Sequence, residues 1–85
     1  MTSERSTIYL IDDEEDVRES LRLFLAEEGF KVKTYASTLD FLQNADPKRS
    51  GCIVTDVRMP GMSGIDFLSD PSVGALGLPV ILITA

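Results

Sequence analysis

An α/β fold built on a doubly wound parallel sheet is predicted by three features of this sequence. Four short segments have strand character, helical periodicity or helix-capping residues fall between them, and every connection is long enough to hold a helix. The first strand is TIYLI, residues 7–11, apolar and β-branched on both faces as the inner strands of parallel sheets are. Helical spacing takes over from Asp16: Val17, Leu21, Phe24 and Leu25 fall at i, i+4, i+7 and i+8, the stripe expected to be buried, with Glu28 at i+11. Arg18, Glu19, Arg22 and Glu27 take most of the other face, and Gly29 is placed to end the helix as its C′ residue. Residues 30–35, FKVKTY, alternate apolar and polar, which predicts a half-exposed strand near an edge.

Ser37 or Thr38 can cap the second helix, with Leu39, Phe41, Leu42 and Ala45 on its buried side and Asp46-Pro47 closing it. CIVTD, residues 52–56, is a second buried strand, followed by a turn, VRMPGMSG, centred on Pro60-Gly61. Ser63 caps a short third helix from Gly64, with Ile65, Phe67 and Leu68 as its apolar residues, and Asp70-Pro71 interrupts it. Leu78–Thr84 is the third buried strand. The predicted order is therefore β-α-β-α-β-α-β, with helices on both faces of the sheet. In such sheets functional residues gather beyond the carboxyl ends of the strands, where strand order reverses.

Composition narrows the function classes. Eighty-five residues hold one small domain, and 44% hydrophobic with 26% charged residues is the balance of an ordinary globular domain. No apolar run approaches the roughly 20 residues needed to span a bilayer. The start, MTSERSTIYLIDD, matches neither a signal nor a transit peptide, so the expected location is the cytoplasm. The single Cys52 has no partner for an internal disulfide and is expected to be a buried thiol. Fourteen acidic residues against eight basic give a net charge of −6, without the basic cluster that direct nucleic-acid binding requires.

Three strands end in oxygen-bearing side chains: the first in Asp12-Asp13, the next buried one in Asp56, the last in Thr84. If the first and third strands are neighbours, about 4.8 Å apart, Asp12, Asp13 and Asp56 converge in one small pocket. Carboxylates that close hold one another's pKa up unless a positive charge joins them, and a hard divalent cation such as Mg²⁺ is the simplest candidate. A carboxylate beside Mg²⁺ can also attack phosphorus and become an aspartyl phosphate. Each residue has a simpler reading as well. Asp13 could cap the first helix, Glu14, Glu15 and Asp16 could complement its dipole, Asp56 could open a turn, and Thr84 could be an ordinary strand former. Those readings leave unexplained why three strands terminate in this way.

The segments YLIDDEEDVRESL, IVTDVRMPGMSGIDFL and PVILITA resemble the signature segments of bacterial response-regulator receiver domains, the CheY-like family with a flavodoxin-like fold. TDVRMPGMSG and DDEEDVRESL are closest to receivers of the FixJ type. The resemblance covers nearly the whole chain, so residues 1–85 are read as one receiver domain, but only about the first two-thirds of a normal receiver. It implies that Asp56 is the phosphoacceptor, that Asp13 and Asp56 bind Mg²⁺ directly with Asp12 helping through water, and that the main-chain carbonyl of Arg58 is a further ligand. It also implies that Thr84 is the switch hydroxyl, that a sensor histidine kinase is the phosphodonor, and that the output is transcription.

Two other classes compete with a phosphorylation switch that turns over no outside substrate. An aspartyl-nucleophile phosphatase of the haloacid-dehalogenase type needs a second acid two residues after Asp56, and Arg58 stands there. A receiver fragment that only pairs or swaps with a partner, a second copy included, is the other. A complete receiver continues with a helix, a fifth strand carrying an aromatic residue and a phosphate-binding lysine, and a last helix, so the final strand here is expected to offer an apolar edge.

Overall fold

The computed structural model describes residues 7–45, 51–57 and 64–83. Its elements are β1 (Thr7–Ile11), α1 (Glu15–Glu27), β2 (Lys31–Tyr35), α2 (Thr38–Asn44), β3 (Cys52–Asp56), α3 (Gly64–Leu68), α4 (Pro71–Gly74) and β4 (Val80–Ile83). The strands form one parallel sheet in the order β2-β1-β3-β4. The chain runs from β1 to β2 on one side and then returns across β1 to β3, so strand order reverses between β1 and β3. The predicted α/β class and the alternation of strands and helices are both realised.

The two faces of the sheet are filled unequally. Tyr9, Ile11 and Ile53 point to one side, where Tyr35, Phe41, Phe67 and Val73 join them in a single core cluster. Phe41 of α2 is its hub, meeting Tyr9, Tyr35 and Phe67 edge-on at ring-centroid distances of 5.9, 5.3 and 5.7 Å. Edge-to-face pairs of this kind add about 0.5–1.5 kcal/mol each beyond the burial of the rings. Ile8 and Leu10 alternate with Tyr9 and Ile11 along β1 and are buried on the opposite face, the side of α1.

That second face is thinly covered. α1 packs against β1 and β2, yet none of its residues is fully buried: Val17, Leu21 and Leu25 are half-buried and Phe24 is 58% exposed. The expected burial of Phe24 is thus corrected, because only the strip of helix that meets the sheet is covered. Leu39 is likewise exposed, since Thr38 and Phe41 turn the short α2 inward and Leu39 lies roughly 100° round the helix from Thr38. β4 stands at the sheet edge and Ile81 is 52% exposed, so the final strand offers the apolar edge expected of it and is not the fully buried strand its apolar run alone suggests. Ile81 pairs with Val54, which pairs with Leu10, so it shares the α1 face at a point beyond the cover α1 gives.

Local chemistry sets the element ends. Gly29 takes φ +97°, its N–H bonding to Ala26 and that of Phe30 to Leu25, which closes α1 with a left-handed residue that glycine supplies without strain. Ser37 accepts the Asp40 N–H at 3.0 Å and starts α2 as expected. Asp70-Pro71 does more than interrupt a helix. The Asp70 carboxylate accepts the Ser72 N–H at 2.8 Å and Pro71 occupies the first helical position, so the dipeptide opens the additional helix α4. The expected Asp46-Pro47 stop, the Pro60-Gly61 turn and the Ser63 cap lie outside the described residues.

Phe41→Ala is expected to cost roughly 3–5 kcal/mol, the range for removing a buried aromatic ring. Phe24→Ala should cost under about 0.5 kcal/mol, as an exposed substitution does. Urea unfolding of the two variants measures the difference directly.

Candidate functional site

The acidic end of the sheet is built from strand tips. β1 and β3 pair in a register that matches Ile11 with Thr55, so Asp12 and Asp56 stand one step further on, side by side. Both tips are pinned to outer strands: the Asp12 N–H bonds to the Tyr35 carbonyl at 3.1 Å and the Val57 N–H to the Ile83 carbonyl at 3.0 Å. Asp12 and Asp56 are 2% and 5% exposed, while Asp13 faces solvent. One carboxylate oxygen from each of Asp12, Asp13 and Asp56 lies within 4.8 Å of the others. The convergence expected from the sequence is therefore present in the structure.

The bond pattern separates the roles open to these acids. Glu14, not Asp13, is the N-cap residue of α1, and no side chain caps it. The simpler reading of Asp13 as a helix cap does not hold. Asp12 carries a local turn instead, its Oδ1 accepting the Glu14 N–H at 2.9 Å. Burial pushes the Asp12 carboxyl above its ordinary range, and the charges of Asp56 and Asp13 push the same way. The Glu14 bond and the Arg18 guanidinium partly oppose them. Arg18 also donates through Nη1 to the main-chain carbonyl of Asp12 at 2.7 Å, although the sequence had placed it on the solvent face of α1.

These donors fit a hard divalent cation: carboxylate oxygens at close range, one of them on a buried acid whose charge is poorly tolerated. Asp12, Asp16 and Asp56 also line a cavity of about 530 Å³ whose other wall is Val17, Leu21 and Ile83, so the acids open onto space beside the β4 edge. Arg58 and Thr84, the remaining expected site residues, lie outside the described residues. Cys52 is half-buried, not fully buried as expected. Its thiol pKa is raised by that burial, its Sγ points at the Ile53 carbonyl, and among the described residues it does not join the acidic cluster.

Strand order, a switch point between β1 and β3, and a trio of aspartates at that point define a class of protein. Residues 8–85 match the model of the response regulator receiver domain, and the chain belongs to that family. Among curated relatives it is similar to the transcriptional regulatory protein FixJ of Rhizobium meliloti, with 44% identity over 92% of this chain. The chain spans 38% of the length of that relative. Among solved structures it resembles the crystal structure of FixJ-N, with a TM-score of 0.84 and 41% identity over 99% of this chain and 66% of that one. It also resembles the response regulator TrrA of Thermotoga maritima in complex with Mg²⁺-BeF, with a TM-score of 0.79 and 28% identity over 94% of this chain and 70% of that one. The chain is a FixJ-like receiver of two-component signalling. Among the described residues no helix is long and apolar enough to cross a membrane.

A carboxyl whose pKa is raised in the folded state favours folding fully below its unfolded value, and that contribution is lost as pH rises through the folded value. The metal-free protein should therefore lose stability across and above the ordinary carboxylate range because of Asp12. Asp12→Asn keeps an acceptor for the Glu14 N–H and removes the charge. In EDTA at neutral pH it should melt at a higher temperature than the native chain, with a flatter pH profile and a smaller gain on adding Mg²⁺.

Proposed function

We propose that this chain is a phosphorylation switch in which Asp56 accepts a phosphoryl group with the help of Mg²⁺. The observation that carries the reading is the convergence of the Asp12, Asp13 and Asp56 carboxylates at the β1/β3 switch point. One oxygen of Asp56 attacks the donor phosphorus, and the bond from phosphorus to the donor breaks. Its electron pair leaves with the donor, as acetate from acetyl phosphate or as the imidazole of a kinase histidine, which takes a proton from solvent. Bound Mg²⁺ would neutralise charge on the phosphoryl oxygens. In this reading Asp13 and Asp56 would hold the ion, with Asp12 helping through water and the Arg58 carbonyl as a further ligand. Thr84 then turns toward the phosphoryl group as the switch hydroxyl.

A sensor histidine kinase is the donor in this account, the setting is the bacterial cytoplasm, and the switched output is transcription. Two facts support it: the match to the receiver family, and the similarity to FixJ, a transcriptional regulatory protein. The chain consumes one donor molecule per switching event and turns over no outside substrate, so it is not an enzyme in the usual sense. A second reading, a receiver fragment that does not signal alone and only pairs or swaps with a partner chain, a second copy included, draws on the place of β4 at the edge of the described sheet.

Incubation with acetyl phosphate and Mg²⁺ should add the mass of one phosphoryl group, lost on treatment with hydroxylamine. Asp56→Asn should abolish the gain. Uptake that survives Asp56→Asn would move the acceptor elsewhere, and a native chain that takes up none would favour the pairing module.

A further inference from the structure

The β1–α1 connection is held by a residue that the reading above does not use. Arg18 is half-buried on the first turns of α1, and its Nη1 reaches back to the carbonyl of Asp12 at 2.7 Å. The next peptide along is tied as well, because the Asp12 carboxylate accepts the Glu14 N–H at 2.9 Å. The Glu14 carbonyl in turn accepts the Arg18 N–H at 2.9 Å, the first bond of the helix. Main chain and side chain of Arg18 thus close a loop of three hydrogen bonds around residues 12–14, the segment from which Asp12 and Asp13 project. Arg22, the other arginine of α1, is engaged elsewhere, by Glu19 one turn before it.

We infer that Arg18 is a positioning residue for the acidic site. By bonding the Asp12 carbonyl it fixes the peptide that aims the Asp12 and Asp13 carboxylates at Asp56. A guanidinium beside three acids has two opposite consequences for a divalent cation, and they can be told apart. As a charge it repels the ion, so its removal would tighten binding. As an anchor it pre-forms the site, and partners that orient metal ligands commonly change affinity by roughly 10–100-fold when removed. The short charge-assisted bond and its place in a closed set of three favour the anchor as the larger effect.

The inference rests on the proposed Mg²⁺ site, and its test is split so that the two can fail separately. Mg²⁺ titration of the full chain, followed by amide shifts, should give a dissociation constant at least roughly tenfold weaker in Arg18→Ala than in the native protein. Arg18→Lys, which keeps a charged donor, should recover part of the loss. In EDTA, with no ion present, the Glu14 amide proton should move upfield and exchange faster in Arg18→Ala, with Arg18→Lys in between. Unchanged or tighter Mg²⁺ binding in a folded Arg18→Ala would overturn the inference. Should Arg18→Ala not fold, native-like affinity and a native-like Glu14 amide in Arg18→Met would overturn it equally. If the native chain binds no Mg²⁺, the metal reading falls, and the Glu14 amide alone decides the role of Arg18.

Discussion

The parallel pairing of β1 with β3 fixes the separation of Asp12 and Asp56, and the rest of the acidic end answers to that separation. Two strand tips in register must hold their terminal side chains about one strand spacing apart. Here both terminal residues are acids withdrawn from water. The chain meets the resulting repulsion with backbone and cationic groups: the Glu14 N–H on the Asp12 carboxylate and the Arg18 guanidinium behind its carbonyl. Neither cancels the effect of burial, which still holds the Asp12 carboxyl high. A folded protein that keeps such an arrangement carries a standing affinity for positive charge, and this is the physical link between the fold and a cation-assisted reaction at Asp56.

The scaffold behind the site is lopsided. One face of the sheet is closed by an aromatic cluster around Phe41, drawn from β1, β2, α2 and α3. The other is covered by α1 alone among the described helices that meet it, and the cavity bounded by Val17, Leu21 and Ile83 opens there next to the acids.

Much of this was legible in the sequence, for identifiable reasons. The strands announced themselves by β-branched runs, and their acidic ends marked the site before any strand order was known. Gly29 and Ser37 ended and began helices where their backbone preferences put them. Periodicity gave the direction of each helix face but not how much of it the neighbours would cover, which is why Phe24 and Leu39 are more exposed than expected. Asp70-Pro71 was read as a break because proline ends helices, although the same dipeptide also starts them. Arg18 was invisible for a different reason: its partner is a carbonyl, and a main-chain acceptor leaves no mark in the residue code.

The central claim is that tips of two separate strands form a single cation site. Mn²⁺ is a close substitute for Mg²⁺ at oxygen ligands, and its unpaired electrons broaden nearby amide resonances. The account predicts that substoichiometric Mn²⁺ broadens the amides of residues 12–14 and of 56–57 together, and that excess Mg²⁺ restores both. Broadening confined to the exposed acids at 13–16, with residues 56–57 sharp, would contradict it.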